Sequence, residues 1–587
     1  MNEGFQFRGL FWTLLSLIVI ASMAGCGSAK PATAPPAALA PTAAPTAAPT
    51  AAGPSSITVV IPEDPPGFNA LISDTGYDGL VMNMVMLGLT AIDPDGNVYP
   101  VLASELPTEE NGGVVVNQDS GAMDVTWKMR NDVTWSDGTP VTADDVLFTY
   151  KAMADPNTGT WFPGSDMLTG VDKIDDYSFV VHFSSVYPSY LTLFGGRQIV
   201  IWPAHYCKAE QGYQNWDCGS QPLSDGPYTL KEWVTGDHLT FEKNPSFYQA
   251  SKPQIDQIIV KIVPDATVRE TMMKQGDADL LMWATEQVAD NLKNAENVKV
   301  SISPTARFVM RLYINLAAKG STDPVKDPNP LFADARVRQA IRSAIDVDAI
   351  ASSVWHGFAK PVWTEFFRQP YVCDIPRPKF DPEAAKALLE QAGWIDKNGD
   401  GIRECQGCKT AKPGTEFKFE LATYSEYGEP LILTQQLIAE NLKAVGIQAD
   451  LSQMQGSVMW ADTASGGTEQ AGNFDVDLYD DGYAGVDPTD FIWQYYNSGS
   501  AVPDQGWNVG RWVNPQFDEL LNNAYTLNET DRKTAFCEMA KILDQDLPEI
   551  LLFSTINADA YSTRLSGIQA NVNSVVSWNV ADWTVTR

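Results

Sequence analysis

The stretch from Ile57 to Arg587 is too long to fold around one hydrophobic core, and this length is the strongest constraint in the sequence. A single core stops growing at about 250–300 residues, and longer chains divide into several compact parts. The chain is 44% hydrophobic and 10% aromatic, so it has enough apolar material to fill more than one core. We therefore predict two or more lobes.

Strands and helices alternate along this stretch. Asp124–Met129 alternates polar and apolar residues as a strand does, and Ser178–Phe183 is a second predicted strand. Between them, Thr142 and Asp145 stand at the spacing of a helix capping box. Asp381 precedes a proline, and proline is favoured at the first position of a helix. The alternation predicts the α/β fold class.

The N-terminal residues predict a compartment. An apolar run from Leu10 to Ile20 is too short for a membrane span, which needs about 20 residues, but it suits a signal-peptide core. Met23–Cys26 then places small residues before a cysteine, and this resembles a bacterial lipoprotein processing site. The resemblance implies a signal peptide over residues 1–25 and lipidation of Cys26. An ordinary secretory signal followed by a chance cysteine is the alternative.

Residues 26–55 are rich in alanine, proline and threonine, so they predict an extended tether without a core. The formal charge of −33 argues against nucleic-acid binding, which needs clustered cations, and favours attraction of cationic ligands.

Six cysteines remain after Cys26, and an even number in an oxidising compartment indicates disulfides. Cys207 and Cys218 flank a short loop and are one candidate pair. Cys405 and Cys408 form a C-x-x-C, for which a loop disulfide is favoured over a redox pair or half of a zinc site. Cys373 and Cys537 have no predicted assignment.

Five ordered segments resemble one family. The longest is Trp127–Val146, a predicted strand, turn and capped helix. The others, in chain order, are Gly226–Tyr228 with Lys243–Tyr248, Arg336–Ala340 with Ile345–Asp346, Ala384–Leu389 with Ala392–Trp394, and Asp487–Pro488 with Phe491. Together they are similar to the solute-binding proteins of oligopeptide, dipeptide and nickel importers, known as family 5.

The resemblance implies a two-lobed, periplasmic-binding-protein-like fold of class II, in the large cluster with an extra inserted domain. Lobe I would be discontinuous, and two hinge segments would lie near Ser303–Phe308 and Phe553–Asn557. The implied parts are lobe I at residues 56–93, 198–301 and 553–587, the inserted subdomain at residues 94–197, and lobe II at residues 302–552.

The resemblance also implies a function. The chain would be a monomeric substrate-binding lipoprotein of an ABC importer, held by its lipid anchor at the outer face of the cytoplasmic membrane. It would capture an oligopeptide between its lobes and deliver it to a membrane permease. An oligosaccharide ligand in the same role is one alternative, and a sensory lipoprotein without transport is another.

Ligand-binding residues are predicted by their position in the family. They are Phe68, Asn69, Trp283, Tyr313, Asn315, Trp363, Trp460, Asp481, Tyr483 and Asp487. One departure from the family pattern concerns the carboxylate that pairs with a peptide amine, because Ala484 stands at that position. Asp480 or Asp481 is the candidate replacement, and without one the oligosaccharide alternative gains weight.

Other chemistry has weaker signals. Asp396, Asn398 and Asp400 match the first half of a calcium loop, but Gly407 replaces its bidentate glutamate, so a polar turn is favoured and no cofactor is expected beyond this possible structural calcium. The chain has only four histidines, without a metal-binding or nucleophile motif. We therefore predict a protein that is not an enzyme and that does not bind nickel.

Overall fold

The computed structural model describes residues 54–586 except 70, 72–75, 159–163, 165–166, 197–198, 209–211, 214–216, 304–307 and 484. The predicted signal peptide, Cys26 and almost all of the tether lie outside these residues. So do Ala484 and most of the first predicted hinge segment. Within the described ranges, no helix combines the length and the apolar character that crossing a membrane requires.

Strands and helices alternate, as predicted. The strands are β1 Ser56–Ile61, β2 Thr90–Ile92, β3 Val98–Pro100, β4 Val114–Val116, β5 Met123–Lys128, β6 Leu168–Asp175, β7 Ser178–Phe183, β8 Tyr228–Val234, β9 His238–Lys243, β10 Gln257–Ile262, β11 Leu280–Ala284, β12 Val298–Ile302, β13 Val309–Ile314, β14 Ala359–Pro361, β15 Trp394–Ile395, β16 Glu404–Cys405, β17 Lys418–Tyr424, β18 Gln448–Met454, β19 Val476–Asp481, β20 Glu549–Thr555, β21 Ala558–Ser562, β22 Leu565–Ser566 and β23 Thr584–Val585. The α-helices are α1 Tyr77–Val85, α2 Ala143–Ala154, α3 Ala266–Gln275, α4 Glu286–Leu292, α5 Ala335–Ala344, α6 Val347–Ser353, α7 Pro382–Gln391, α8 Glu429–Lys443, α9 Gly456–Met459, α10 Thr489–Tyr496, α11 Pro515–Asn523 and α12 Glu529–Asp546.

The first large sheet has the strand order β12-β21-β11-β1-β10-β9-β8. Its centre is parallel, because β1 pairs in parallel with both β10 and β11. Val59, Val60 and Ile61 of β1 are fully buried, as expected for a parallel strand that is covered on both faces.

Residues 94–197, the predicted inserted subdomain, contain a separate four-stranded sheet, β4-β5-β7-β6, and helix α2, and we call this part of the chain the insert. The capping box predicted for α2 is present, since Thr142 and Asp145 exchange side-chain and main-chain hydrogen bonds. Phe179 and Val181 of β7 belong to the same buried cluster as Ile57 and Val59 of β1. The insert and the first sheet therefore share one core.

The second large sheet has the order β14-β20-β13-β19-β17-β18 and carries its own core cluster. All six residues of β13 are buried. Strand β20 stays in this sheet up to Thr555, so the second lobe extends past the boundary that was placed between residues 552 and 553. The chain then reaches β21 of the first sheet through Ile556 and Asn557.

Three disulfides are present among the described residues. Two are the candidate pairs, Cys207–Cys218 and Cys405–Cys408. The third joins Cys373 to Cys537, 164 positions apart in the chain. It ties the segment after β14 to helix α12, and the sequence had offered no reason to pair these two residues.

Candidate functional site

The chain crosses twice between the two large sheets. One crossing runs from Ile302, at the end of β12, to Val309, at the start of β13, and the other runs from Thr555, at the end of β20, to Ala558, at the start of β21. The main-chain N–H of Ser303 donates to the carbonyl of Asn557, 3.2 Å away, which ties the crossings together.

The directions of the strands show which strand ends lie at the two crossings. Strands β1, β10 and β11 run parallel to β12, and β17, β18 and β19 run parallel to β20. Because β12 and β20 both end at a crossing, the carboxyl ends of all these strands meet at the space between the sheets. The carboxyl ends of parallel strands are where α/β proteins bind their ligands. This space is the candidate ligand cleft.

Aromatic rings and a carboxyl group line the second-lobe side of the cleft. The Tyr424 ring at the end of β17 lies 4.8 Å from the ring of Trp460, which follows β18. The indole N–H of Trp460 is buried and has no acceptor among the described residues. The Tyr424 hydroxyl is hydrogen-bonded to the carboxyl of Asp480, near the end of β19. Burial, and next the charge of Asp481, raise the pKa of Asp480 to about 7.

Asp481 is used inside the second lobe. One carboxylate oxygen accepts the main-chain N–H of Gly482 at 2.7 Å, and the other accepts the hydroxyl of Tyr495. The main-chain carbonyl of Asp481 accepts a hydrogen bond from Arg311 at 3.0 Å. Of the two candidate replacements for the amine partner, Asp480 is therefore the one at the cleft edge, where its carboxyl is hydrogen-bonded to the Tyr424 hydroxyl and to its own main-chain N–H.

The first-lobe side carries Trp283 on β11. This residue has a φ of 51°, a left-handed conformation that is rare outside glycine. Its main-chain N–H donates to Asp559 at 3.0 Å, and its ring lies 5.4 Å from the ring of Tyr77. Burial raises the pKa of Asp559 to about 6. The Trp283 ring packs against Gly76 so closely that any side chain at position 76 would overlap it.

Several predicted ligand residues instead pack inside the lobes. Phe68 is fully buried, with its ring edge-on to Trp233 and Phe241. The Asn69 amide donates to the carbonyl of Tyr213, and its oxygen accepts the N–H of Leu71.

Three more predicted residues have internal partners in the second lobe. The Asn315 amide donates to the carbonyls of Gly472 and Phe474 and stays buried. Tyr313 is buried with its ring stacked 4.1 Å from Tyr479, behind Trp460. The Trp363 indole donates to the carbonyl of Ile375 and lies beside β20, past the cleft edge.

Tyr483 and Asp487 follow β19 but are engaged by cations of their own lobe. Arg368 lies 3.9 Å above the Tyr483 ring. The Asp487 carboxylate accepts hydrogen bonds at 2.6 Å from Arg532, Ser189 and Thr489. Burial acts to raise the pKa of Asp487, but the charge of Arg532 and these hydrogen bonds outweigh it, so the pKa is lowered. A ligand cation would have to displace Arg532 to pair with this carboxylate.

Of the predicted set, Trp283 and Trp460 thus lie at strand ends on opposite sides of the cleft, and the structure adds Tyr77 and Asp559 beside the first and Tyr424 beside the second. Asp480 was already a candidate from the sequence. Tyr424 was detectable in principle, because it lies at the carboxyl end of a strand, β17. Tyr77 and Asp559 had no such signal, since only the packing around Trp283 places them.

The possible calcium loop is closed by its own main chain. Asp396 accepts the N–H groups of Gly399 and Gly401, and Asp400 accepts that of Ile402. In the ranges that the structure describes, no three or more His, Cys, Asp or Glu side chains are grouped as metal ligands. The polar turn favoured from the sequence, with calcium as the weaker alternative, stays a prediction.

Two lobes joined by two crossings, with strand ends facing across a cleft, define a two-lobed binding protein. The sequence profile of the bacterial extracellular solute-binding proteins, family 5, middle region, matches residues 97–502. The chain therefore belongs to this family of extracytoplasmic proteins, and the predicted fold class is confirmed.

Individual relatives agree. The chain is 27% identical over 549 residues to an oligopeptide-binding protein, AppA, of Bacillus subtilis (strain 168), covering 89% of this chain and 90% of that one. It is 24% identical over 506 residues to heme-binding protein A of Haemophilus influenzae, covering 80% and 81%. Among solved structures, NikA of Brucella suis with Fe(III)-EDTA superposes with a TM-score of 0.73 at 21% identity, covering 90% of this chain and all of that one. AppA with a nonapeptide gives 0.65 at 22% identity, covering 91% and 100%.

Proposed function

We propose that this chain captures an oligopeptide between its lobes and delivers it to the permease of an ABC importer. The observation that carries the proposal is Asp480, a carboxyl beside two aromatic rings at the cleft edge. No ion-pair partner for it occurs among the described side chains. A peptide amine is a cation that would pair with it, and the neighbouring rings can pack on the residue that carries the amine. The relative that binds oligopeptides supports the same ligand class.

Closure of the two lobes around a ligand needs no covalent reaction. A ligand that touches both lobes favours the closed arrangement by the difference between its contacts in the closed and open states. The two crossings define the axis about which the lobes rotate, and a few residues in them absorb the change in backbone dihedral angles. Trp283 and Tyr77 on one side and Trp460 and Tyr424 on the other are the surfaces that such a ligand would join. Removal of water between the lobes strengthens each polar contact made there.

Replacement of Asp480 by asparagine is expected to weaken peptide binding about 10- to 100-fold, because a charge-assisted hydrogen bond is lost. Wild-type binding should also weaken from pH 7 to pH 5.5. The carboxyl with a pKa of about 7 is progressively protonated over that range and loses its attraction for the amine. Isothermal titration with peptides selected by a thermal-shift screen of pooled di- to hexapeptides measures both effects.

Asp450→Asn is the matched control, since it removes the same charge from exposed β18 of the same sheet. N-acetylated peptides should bind the wild type as weakly as free peptides bind the Asp480 variant. Equal affinities for free and acetylated peptides would refute the role of Asp480. If only pooled oligosaccharides raise the melting temperature, the proposed ligand becomes a sugar, stacked on Trp283 and Trp460, in place of a peptide.

Lipid anchoring at Cys26 belongs to the same proposal and is supported by the small residues that precede it. We expect Cys26→Ser to move the protein from the membrane fraction to the soluble fraction, because several acyl chains are lost at once. Fractionation with immunoblotting measures this change. Ser28→Ala is the control and should leave the distribution unchanged. An unchanged distribution of the Cys26 variant would contradict the anchor.

A further inference from the structure

A second meeting of the lobes lies away from both crossings. Two residues of the segment after β7 reach the loop that follows β19 and the first turn of α10. The Ser189 hydroxyl donates to the carboxylate of Asp487 at 2.6 Å, and the Tyr187 hydroxyl donates to that of Asp490 at 3.4 Å. These hydrogen bonds join parts of the chain about 300 positions apart. Neither contact involves the rings of Trp283 and Trp460 or the carboxyl of Asp480 at the cleft edges.

The two sides belong to different cores. Tyr187 is buried in the cluster that the insert shares with the first sheet, and its ring stacks 5.3 Å from Phe183. Ile492 and Tyr495 of α10, the helix that begins beside Asp487, are buried in the second-lobe cluster. The hydrogen bonds therefore connect one rigid unit to the other.

The acceptor side is also held in place by its own lobe. Asp487 is fixed by Arg532, and Arg532 donates in turn to the hydroxyl of Tyr371 at 2.6 Å. The Arg532 and Asp487 side chains are only 5% and 12% exposed, so this acceptor is firmly oriented. Groups that are already ordered lose little entropy when they meet.

Apolar contacts surround the polar ones. Leu527, just before α12, packs against the core of the first lobe. Gly96, in the turn between β2 and β3, lies against Val486: a Cβ atom at position 96 would be 3.3 Å from its methyl group. The contact is thus a small interface with a polar centre.

We propose that Tyr187 and Ser189 of the insert form a clasp with Asp490 and Asp487 of the second lobe, which holds the lobes together before ligand arrives. Opening about the two crossings breaks this clasp. The insert then has a function of its own: it sets the closed-to-open ratio of the empty protein. A tighter clasp leaves a smaller open fraction for the ligand to close, and a looser clasp leaves a larger one.

The clasp also makes closure depend on pH. The charged and titratable groups that face Asp490 are Tyr187, Tyr525, Asp487 and Arg532. Burial, and next the charge of Asp487, raise the pKa of Asp490 to about 7 in the clasped arrangement. Opening removes the insert from Asp490 and so reduces its burial, which lowers this pKa, and between the two pKa values the clasped form binds a proton that the open form releases. Closure is therefore favoured by acid, and this dependence ends above about pH 7.

The test uses the full chain without ligand, so its outcome is independent of the ligand proposed above. Dyes are attached through azide-bearing residues at Val115 and Val325, which are exposed on the insert and the second lobe. Single-molecule energy transfer then reports the closed-to-open ratio. For Tyr187→Phe with Ser189→Ala we expect this ratio to fall at least about tenfold, since two interlobe hydrogen bonds are lost. In the wild type it should fall as the pH rises from 5 to 7, and Asp490→Asn should flatten this change.

The matched control is Tyr190→Phe with Ser104→Ala. These hydroxyls donate to the carbonyls of Pro107 and Lys128 within the insert, so they do not cross to the second lobe. The proposal would be overturned if the clasp variant had the same closed-to-open ratio as the wild type. It would also be overturned if the control variant lost as much of this ratio as the clasp variant does. If the double variant unfolds, Ser189→Ala alone gives the same test with a smaller expected fall.

Discussion

Arg311→Met is expected to lower the free energy of unfolding of the second lobe by about 3–5 kcal/mol, the usual cost of removing one partner from a buried ion pair. Arg311 is fully buried in the middle of the second sheet. Its guanidinium contacts Glu365 at 2.5 Å and Glu549 at 3.1 Å, and it donates to the carbonyl of Asp481. Without it, the two buried carboxyl groups share only the Tyr496 hydroxyl as a donor, and the carbonyl of Asp481 loses the arginine donor. Urea unfolding followed by tryptophan fluorescence measures the loss.

Glu549→Gln is the matched comparison and is expected to cost much less. Burial is the main cause that raises the pKa of Glu549 to about 7, and the charge of Glu365 adds to it. A carboxyl whose pKa is higher in the folded chain than near 4 in the unfolded chain destabilises the fold as the pH rises from about 4 to 7. The wild type should therefore lose stability over this range, and Glu549→Gln should lose up to about 3 kcal/mol less. Equal losses of unfolding free energy for Arg311→Met and Glu549→Gln would contradict this account of the cluster.

Removal of the Cys373–Cys537 disulfide by two alanine substitutions is expected to cost about 3–5 kcal/mol. The bond closes a loop of 164 positions, and a disulfide restricts the unfolded chain more when its loop is longer. Both residues lie in the second lobe, so its unfolding transition should move to lower denaturant while that of the first lobe stays unchanged. Denaturant titration of the oxidised protein, with and without the substitutions, measures the shift.

The Cys405–Cys408 pair supplies the control within the same lobe. These residues are only three positions apart, so their bond constrains the unfolded chain far less. Alanine at both positions should cost about 2 kcal/mol or less by the same relation. A larger loss from this pair than from Cys373–Cys537 would show that loop length is not the governing factor.

The secondary structure could be predicted where the signal is local. The capping spacing of Thr142 and Asp145 specified the start of α2, and Asp381 before a proline specified the start of α7. Both signals act within one helical turn, so they do not depend on the rest of the chain. The α/β class followed from the same alternation of elements, and the ordered motifs led to the family, which the profile match confirms.

The cleft residues were harder to predict, because a side chain is available to a ligand only if no other part of the chain has engaged it. Asp487 was predicted from its position in the family, yet Arg532, 45 positions later, and Ser189, from the insert, occupy its carboxylate. Asn315 was likewise predicted as a ligand residue, but its amide bonds the carbonyls of Gly472 and Phe474.

By itself, the sequence of this protein determined the elements, the division into lobes and the family, since hydrophobic periodicity, caps and ordered motifs are written in neighbouring residues. Only the tertiary structure decided the partner of Cys373, the burial of Arg311 between two glutamates, and the contact of the insert with the second lobe. Each of these joins residues at least 50 positions apart. Such pairs depend on how complete sheets pack, and no local pattern encodes that packing.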